Sequence, residues 1–176
     1  LPDSVTTIGA NAFRGCSSLE NIMLSDSVTT IGAGAFRDCQ ALKNVTLSKN
    51  LTQIGAEAFY NCTALTGITI PDSVRIIRNS AFEKCSALTS IVIPNGVTAI
   101  ENNTFYNCTN LASVSLPESL IYISAGAFCC AALEAINIPS NVAYLGDSAF
   151  AGTSLKSFDM PNSVTYVGSY AFYSTP

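Results

Sequence analysis

The pattern that decides the fold is contained in residues 19–42, which read LENIMLSDSVTTIGAGAFRDCQAL. The same order of residue types returns along the whole chain, and its most regular member is a phenylalanine. Intervals of 23 residues separate the first six of these phenylalanines, and intervals of 22 lead to the last two: Phe13, Phe36, Phe59, Phe82, Phe105, Phe128, Phe150 and Phe172. A fixed period of this length is typical of a repeat array built from one small structural unit.

The repeating unit reads L-x-x-I-x-[LI]-P-x-S-V-x-x-I-G-x-x-A-F-x-x-C-x-x-L. Apolar residues alternate with outward ones near its start, which predicts a half-buried inner strand such as residues 21–23. Proline, as at Pro71, cannot donate to strand pairing and ends that strand. The second apolar pair, such as Val28 and Ile31, predicts a short outer strand before a bend at Gly32. The A-F-x-x-C-x-x-L segment is too short for a full helix and predicts a 3₁₀ or helical turn that carries the phenylalanine into the core.

Each unit is too small to bury its phenylalanine and its leucines alone. Stacked coils bury one another, so the pattern predicts one continuous core through seven to eight coils of 22–23 residues. Seven parallel inner strands about 4.8 Å apart would form a sheet roughly 30 Å long. We therefore expect residues 1–176 to be a single domain. Because both ends fall inside a unit, we also expect the chain to be a fragment of a longer protein.

The unit resembles the BspA-like, or Treponema pallidum-type, leucine-rich repeat of bacterial and some protist surface proteins. The P-x-S-V-x-x-I-G and A-F-x-x-C-x-x-L blocks carry the resemblance, which extends over essentially all 176 residues. It implies a leucine-rich repeat solenoid, a right-handed superhelix of the β-rich α/β class. It also implies display on the cell surface or secretion, and adhesion to host proteins or other cells.

Most cysteines occupy one position of the unit, which predicts a ladder with one thiol per coil. Neighbouring coils about 4.8 Å apart lie within disulfide range, but side chains in register point in parallel, which fits a disulfide poorly. Cysteine is also among the most buried residue types, so we expect structural, buried free thiols. The ladder consists of Cys16, Cys39, Cys62, Cys85 and Cys108. Only one of Cys129 and Cys130 is expected to occupy the ladder position, and the other is a candidate for an exposed, reactive thiol.

Composition and charge argue against several classes of function. Only 11% of the residues are charged, the net charge is −4, and the eight Lys and Arg residues are scattered, whereas nucleic-acid binding needs clustered positive charge. Histidine and C-x-x-C pairs are absent, so we expect no metal site and no cofactor. The carboxylates are dispersed over distant coils, which predicts a protein that is not an enzyme. No apolar stretch is long enough to span a bilayer, so we expect no membrane insertion by this segment.

The inner, concave sheet is the first candidate site for a protein partner. Its outward residues are mostly hydroxyls and amides without aromatic rings, which disfavours sugars. The face is either a solvated sheet or a floor that binds a protein or peptide by hydrogen bonds and shape. The candidate residues are Asn21, Met23, Asn44, Thr46, Thr69, Ser90, Val92, Ser113, Ser115, Asn137, Ser157 and Asp159.

The second candidate site is an aromatic edge on the outer wall. Tyr122, Tyr144 and Tyr166 occupy one position of three consecutive coils, and Tyr170 follows nearby. Contacts between neighbouring strands favour such a row by roughly 0.2–1 kcal/mol per pair, so a self-stacking row is one explanation. The alternative is an interface with a partner, a second copy or an adjacent domain, because aromatic residues concentrate at interface cores.

Two functions are consistent with these features. The first is a non-catalytic protein–protein interaction module of a surface-exposed or secreted protein, which serves adhesion, host or partner binding, or self-association. The second is a structural spacer that displays another domain and binds nothing itself.

Overall fold

The short outer strands are the most regular secondary structure of the chain. The computed structural model describes residues 1–176, and the stacked-coil fold predicted from the period is confirmed. All strand pairs are parallel, and the partners lie one coil apart, as Thr7 and Thr30 do. The eight outer strands are β1 (Thr7–Ile8), β3 (Thr30–Ile31), β5 (Gln53–Ile54), β6 (Ile76–Ile77), β8 (Ala99–Ile100), β10 (Tyr122–Ile123), β11 (Tyr144–Leu145) and β12 (Tyr166–Val167).

The inner segments form strands in only four of the seven coils, which corrects the prediction of a seven-stranded inner sheet. The four strands are β2 (Asn21–Met23), β4 (Asn44–Thr46), β7 (Ser90–Val92) and β9 (Ser113–Ser115), and they pair as β2–β4 and β7–β9. Asn44 also donates to the side-chain oxygen of Asn21 at 2.6 Å. Gly67 and Ala135 occupy the corresponding position in two of the coils without inner strands. Neither can make such a bond, and glycine also costs entropy in an extended segment.

Two of the three inner segments without strands, residues 67–70 and 135–138, still alternate between core and surface. Ile68 and Ile70 are buried, whereas Gly67 and Thr69 are exposed. The period of two in the sequence therefore predicted correctly which side chains face outward, although the backbone pairing is interrupted.

The turn around each phenylalanine is not a helix, which corrects the predicted 3₁₀ or helical turn. The residues two before and two after the phenylalanine have positive φ, as Gly34 (61°) and Asp38 (62°) have around Phe36. The amide of Phe36 donates to the carbonyl of Ala58 in the next coil at 2.8 Å, and the amides of Gly34 and Asp38 make equivalent bonds. The intervening Arg37 donates instead to Gly34 in its own coil. A 3₁₀-helix needs consecutive bonds of this second kind, so the alternation excludes it.

These bonds form a turn ladder, in which three amides around each phenylalanine donate to the next coil, and it continues through all seven junctions. The outer strands, by contrast, form two separate sheets, because β6 and β8 are not paired. The phenylalanine rings stack beside the turn ladder with centroids 5.2–5.6 Å apart and nearly parallel planes, an offset arrangement that aromatic rings favour. The six interior rings are fully buried: Phe36, Phe59, Phe82, Phe105, Phe128 and Phe150.

The glycine after the second apolar pair allows two coils to approach each other closely. Gly55 does not adopt a positive φ, so its role is not the conformational freedom of a bend. A Cβ atom at Gly55 would lie 2.6 Å from the carbonyl carbon of Gly32 and 2.7 Å from the amide nitrogen of Ala33. Both atoms belong to backbone that cannot rotate away. The absence of a side chain at Gly55 is therefore a packing requirement.

We expect Gly55→Ala to lower the free energy of unfolding by about 1–3 kcal/mol, because the added methyl group overpacks the junction between coils. Gly9→Ala is the matched control, since a Cβ at this position in the first coil meets nothing within 4 Å. This control should change stability by less than about 1 kcal/mol. Urea unfolding followed by circular dichroism measures both values, and equal effects of the two substitutions would contradict the packing explanation.

Candidate binding surfaces

The inner face consists of the outward side chains of the inner segments. The structure exposes all twelve residues that the sequence assigned to this face. Most are hydroxyls and amides, but Met23 and Val92 are two-thirds exposed, with 67% and 65% of their surface accessible. The face therefore combines a polar floor with two isolated apolar side chains.

Two depressions lie on the inner face, each centred on a coil without an inner strand. The larger has a volume of about 750 Å³, and Gly67, Thr69 and Val92 are among its lining residues. The smaller has a volume of about 380 Å³ and includes Ala135 and Asn137. Small residues at 67 and 135 thus open the face where the strand pairing is interrupted.

The floor of the larger depression carries backbone groups that no other part of the protein uses. The amides of Gly67 and Thr69 donate to no protein acceptor, and both residues are exposed. Most amides of a folded protein are paired with protein or water. These two are therefore available to a ligand that supplies carbonyl or carboxylate oxygens.

The aromatic edge lies on the outer wall, on strands β10, β11 and β12. Strand pairing places Tyr122 beside Tyr144, and Tyr144 beside Tyr166. The rings of Tyr144 and Tyr166 stack at 4.7 Å, whereas Tyr122 is tilted and 6.2 Å from Tyr144. Tyr122 and Tyr166 remain nearly half exposed. Tyr170 does not join this row, because it contacts Tyr173 edge-on at 5.7 Å.

The cysteine ladder consists of four buried thiols rather than five. Each buried thiol donates to the phenylalanine carbonyl of the preceding coil, as Cys62 donates to Phe36 at 3.1 Å. Cys16, which lies in the first coil, is exposed, and this corrects the prediction for this residue. All seven cysteines are free. The buried members are Cys39, Cys62, Cys85 and Cys108.

Burial keeps the thiols of the ladder protonated. Loss of solvation raises the pKa of Cys108 to about 12, and it raises the pKa values of Cys62 and Cys85 above the ordinary range as well. Since the thiolate is the reactive form, these groups are structural and chemically inert.

Neither Cys129 nor Cys130 occupies the ladder position, which corrects the expectation that one of them would. Ala131 occupies it, is buried, and donates its amide to Phe128 as Cys39 does to Phe36. This coil is one residue shorter than the preceding coils, and the missing residue lies after Ala131. Cys129 and Cys130 therefore stay in the turn around Phe128. They are half-buried, and their sulfur atoms are 3.6 Å apart.

The turn edge is the side of the stack that carries the turns around the phenylalanines, and a cluster of charged and aromatic groups on it was not found from the sequence. The guanidinium of Arg37 lies 4.4 Å from the ring centroid of Tyr60, and the ammonium of Lys84 lies 4.9 Å from the same centroid. Arg37 also pairs with Glu57, and Lys84 donates to the Tyr60 hydroxyl. This hydrogen bond raises the pKa of Lys84. The only sequence signal is that these residues flank successive phenylalanines.

Several other charges form ion pairs between neighbouring coils. Asp26 contacts Lys49 at 2.7 Å, and Glu134 contacts Lys156 at 2.8 Å. Histidine, cysteine and acidic residues form no group of three or more that could hold a metal ion. The chain also contains no helix with the length and apolarity needed to cross a membrane.

Stacked parallel coils with L-x-x-I-x-L inner segments define the chain as a leucine-rich repeat solenoid. The family model for the BspA type leucine rich repeat region, with six copies, matches residues 1–75 and 52–176. The chain belongs to the BspA-type leucine-rich repeat family. Solenoids of this class are in general non-catalytic, and their occurrence in cell-surface proteins suggests a protein-interaction module.

Solved bacterial structures share the fold. The chain is 37% identical to a leucine rich cell surface protein from Faecalibacterium prausnitzii A2-165, covering 88% of this chain and 42% of that one, with a TM-score of 0.82. It is 32% identical to a leucine-rich repeat protein from Bacteroides ovatus ATCC 8483, covering 96% and 50%, with a TM-score of 0.82. It is 30% identical to the T. pallidum leucine rich repeat protein, covering 96% and 80%, with a TM-score of 0.77. The chain thus spans half or less of the first two proteins, and none of the curated proteins matches it.

We expect the free energy of unfolding to fall as the pH rises above the ordinary thiol pKa of 9.0. The folded protein holds the pKa of Cys108 at about 12, so between these values the unfolded chain has lost a proton that the folded chain keeps. This difference favours unfolding by about 1.4 kcal/mol per pH unit for each such thiol, and the stabilisation is lost as the pH approaches the folded value.

Cys108→Ala tests the contribution of one thiol, since the chain itself has alanine at position 131. Urea unfolding between about pH 8 and 10.5 should give a shallower decline for this variant than for the parent. Cys16→Ala, which removes an exposed thiol from the corresponding position of the first coil, is the matched control. If the stability of the parent protein does not decline over this pH range, the ladder thiols are not held protonated by burial.

Proposed function

We propose that the chain is a non-catalytic interaction module of a surface-exposed or secreted protein, and that its inner face binds a protein partner. The observation that carries this proposal is the larger depression on the inner face. Its floor offers the free amides of Gly67 and Thr69, and exposed Val92 lies at its side. Hydrogen-bond donors beside an apolar side chain are the features that an extended polypeptide segment can use for binding.

The shape of the depression also supports a protein ligand. A volume of about 750 Å³ lies within the range of ligand sites, but the depression is open and shallow. It contains no aromatic ring, so a sugar would lack a stacking platform, and no cluster of basic residues, so a phosphate would lack a counter-charge. A peptide segment matches this chemistry better, because its carbonyls accept from free amides and its side chains contact Val92.

Surface display is supported by the family and by the F. prausnitzii relative, which is a cell surface protein. Adhesion to a host protein or another cell is the corresponding role for the inner face. A spacer that binds nothing would have no use for unpaired amides in the middle of its inner face. The depression therefore favours the interaction module over the spacer.

Thr69→Arg places a long side chain in the larger depression, so it should block binding there. Thr98→Arg is the matched control. Thr98 is also an exposed threonine, but it directly precedes β8 on the outer wall. With purified host matrix and serum proteins immobilised for surface plasmon resonance, the parent should bind at least one of them. Thr69→Arg should weaken that binding at least about tenfold, as expected for a residue at an interface core, and Thr98→Arg should not.

Two outcomes would argue against this function. Equal affinities of the two arginine variants would show that the partner binds elsewhere than in the larger depression of the inner face. Failure of the parent to bind any protein of the panel above background would favour the spacer. Circular dichroism spectra and melting temperatures of both variants establish that they fold as the parent does.

The aromatic edge supports a second binding surface, which would serve self-association or contact with another domain. Stacking explains why Tyr144 and Tyr166 face each other, but it does not explain why Tyr122 and Tyr166 leave nearly half of their surface in solvent. Ile121 is exposed next to Tyr122 in the chain. Exposed apolar groups of this size commonly mark interaction surfaces.

Tyr144→Ser removes the central ring of the aromatic edge. If the edge joins two copies, sedimentation equilibrium of the parent should show a dimer whose dissociation constant rises at least about tenfold in the variant. Tyr60→Ser, which removes a tyrosine from the turn edge, is the control and should leave the dimer unchanged. A monomeric parent, together with partner binding that Tyr144→Ser does not alter, would leave the row with a structural role alone.

A further inference from the structure

The seven thiols of the chain fall into chemically different environments. Four are buried and donate to carbonyl oxygens, and Cys16 is exposed and single. Cys129 and Cys130 are different, because each is partly accessible and their sulfur atoms lie within 3.6 Å of each other. Neither the fold nor the proposed binding surfaces require two adjacent cysteines here, since other coils carry Tyr106 and Asn107 at these positions.

The turn ladder holds the two sulfur atoms together. The amide of Cys130 donates to Ala151 in the next coil at 2.8 Å, and the carbonyl of Cys129 accepts from Asn107 in the preceding coil at 2.9 Å. Cys130 has a positive φ of 62°, and the sulfur atoms are 3.6 Å apart. Gly152 contributes by its lack of a side chain, because a Cβ there would lie 3.3 Å from the Cys130 sulfur. The backbone therefore fixes the two thiols in contact before any reaction.

We propose that Cys129 and Cys130 form a redox-active vicinal dithiol, which a low-molecular-weight disulfide oxidises to an intramolecular disulfide. This inference does not depend on the proposed function, and it concerns a site on the turn edge rather than on the inner face.

The reaction is a thiol–disulfide exchange in two steps. The Cys130 thiolate attacks one sulfur of the small disulfide R–S–S–R, forming a Cys130–S–S–R bond and releasing R–S⁻, which takes up the proton that Cys130 lost. The Cys129 sulfur then attacks the Cys130 sulfur, and the second R–S⁻ leaves and takes up the Cys129 proton. The protein loses two electrons and two protons, and the small disulfide is reduced to two R–SH molecules.

The environments of the two thiols assign their roles. Burial, together with the hydrogen bond to Cys130, raises the pKa of Cys129 to about 11, so this thiol keeps its proton at neutral pH. The two sulfur atoms lie within hydrogen-bond distance, so a protonated Cys129 can donate to a Cys130 thiolate and stabilise its negative charge. Cys130 is therefore the attacking group, and Cys129 resolves the mixed disulfide.

The oxidised form should be easy to reduce. Consecutive Cα atoms are about 3.8 Å apart, which is shorter than the separation of about 4.4–6.8 Å found in most disulfides. A ring closed between neighbours is therefore strained, and strained disulfides are the labile, reversible ones. The turn ladder also opposes the rearrangement, so we expect the oxidised protein to melt at a lower temperature than the reduced protein.

The test uses the full chain with Cys16→Ser, which removes the one exposed single thiol. The folded protein is incubated with glutathione disulfide, and its intact mass is measured. The mass should fall by two hydrogen atoms without retention of glutathione, and dithiothreitol should restore it. The same treatment in urea, where every thiol is accessible, shows that the oxidant is active.

Single variants in this background identify the partners. Cys129→Ser should retain one glutathione on Cys130, and neither Cys129→Ser nor Cys130→Ser should lose two hydrogen atoms. A parent that retains glutathione, or whose mass does not change while the urea control reacts, would overturn the proposal. Loss of two hydrogen atoms that persists in Cys130→Ser would overturn it as well, since it would show that another cysteine is the partner.

Discussion

The turn ladder is the constraint on which the rest of the structure depends. At every junction the amides of the phenylalanine and of the residues two before and two after it donate to the next coil. This geometry requires positive φ at two residues per turn, and Asn, Asp, Ser and Gly fill most of these positions. Glu57 and Lys84 adopt the same conformation at a cost of about 1–2 kcal/mol each. Buried ring stacking and three hydrogen bonds per junction offset that cost.

Because the turn ladder fixes the stack, the other two walls can depart from regular pairing. The outer sheet is interrupted between β6 and β8, where Arg78 and Glu101 replace the glycine that elsewhere allows close approach. These two side chains pair at 3.1 Å, and Glu101 also accepts the amide of Asn79 at 2.8 Å. The inner sheet is interrupted at Gly67 without loss of the core. The face proposed for binding is thus a wall whose sequence can vary without loss of the fold.

The sequence predicted what depends on period and polarity. It predicted the coils, the buried phenylalanines, the outward residues of the inner face and the alignment of Tyr122, Tyr144 and Tyr166. It did not predict the turn, because the bonds that replace a 3₁₀-helix join residues of different coils, and the Asn, Asp, Ser and Gly residues at its positive-φ positions are common in turns of every kind. Nor did it predict the exposure of Cys16, because the sequence motif around Cys16 matches the motif around the buried Cys39. The two depressions required knowledge of where strand pairing fails, which single residues at 67 and 135 influence.

The position three residues after each phenylalanine shows why cysteines of the same turn differ in reactivity. Cys62, Ala131 and Thr153 all occupy it and all are buried, so the position selects for small size rather than for a thiol. Thr153 turns its hydroxyl to the carbonyl of Phe150 in its own coil, whereas the cysteines reach the preceding coil. The two positions before it lie on the turn edge, where solvent reaches the side chain. A cysteine at the inner position therefore only fills the core, whereas Cys130, one residue earlier in the same turn, is a potential nucleophile.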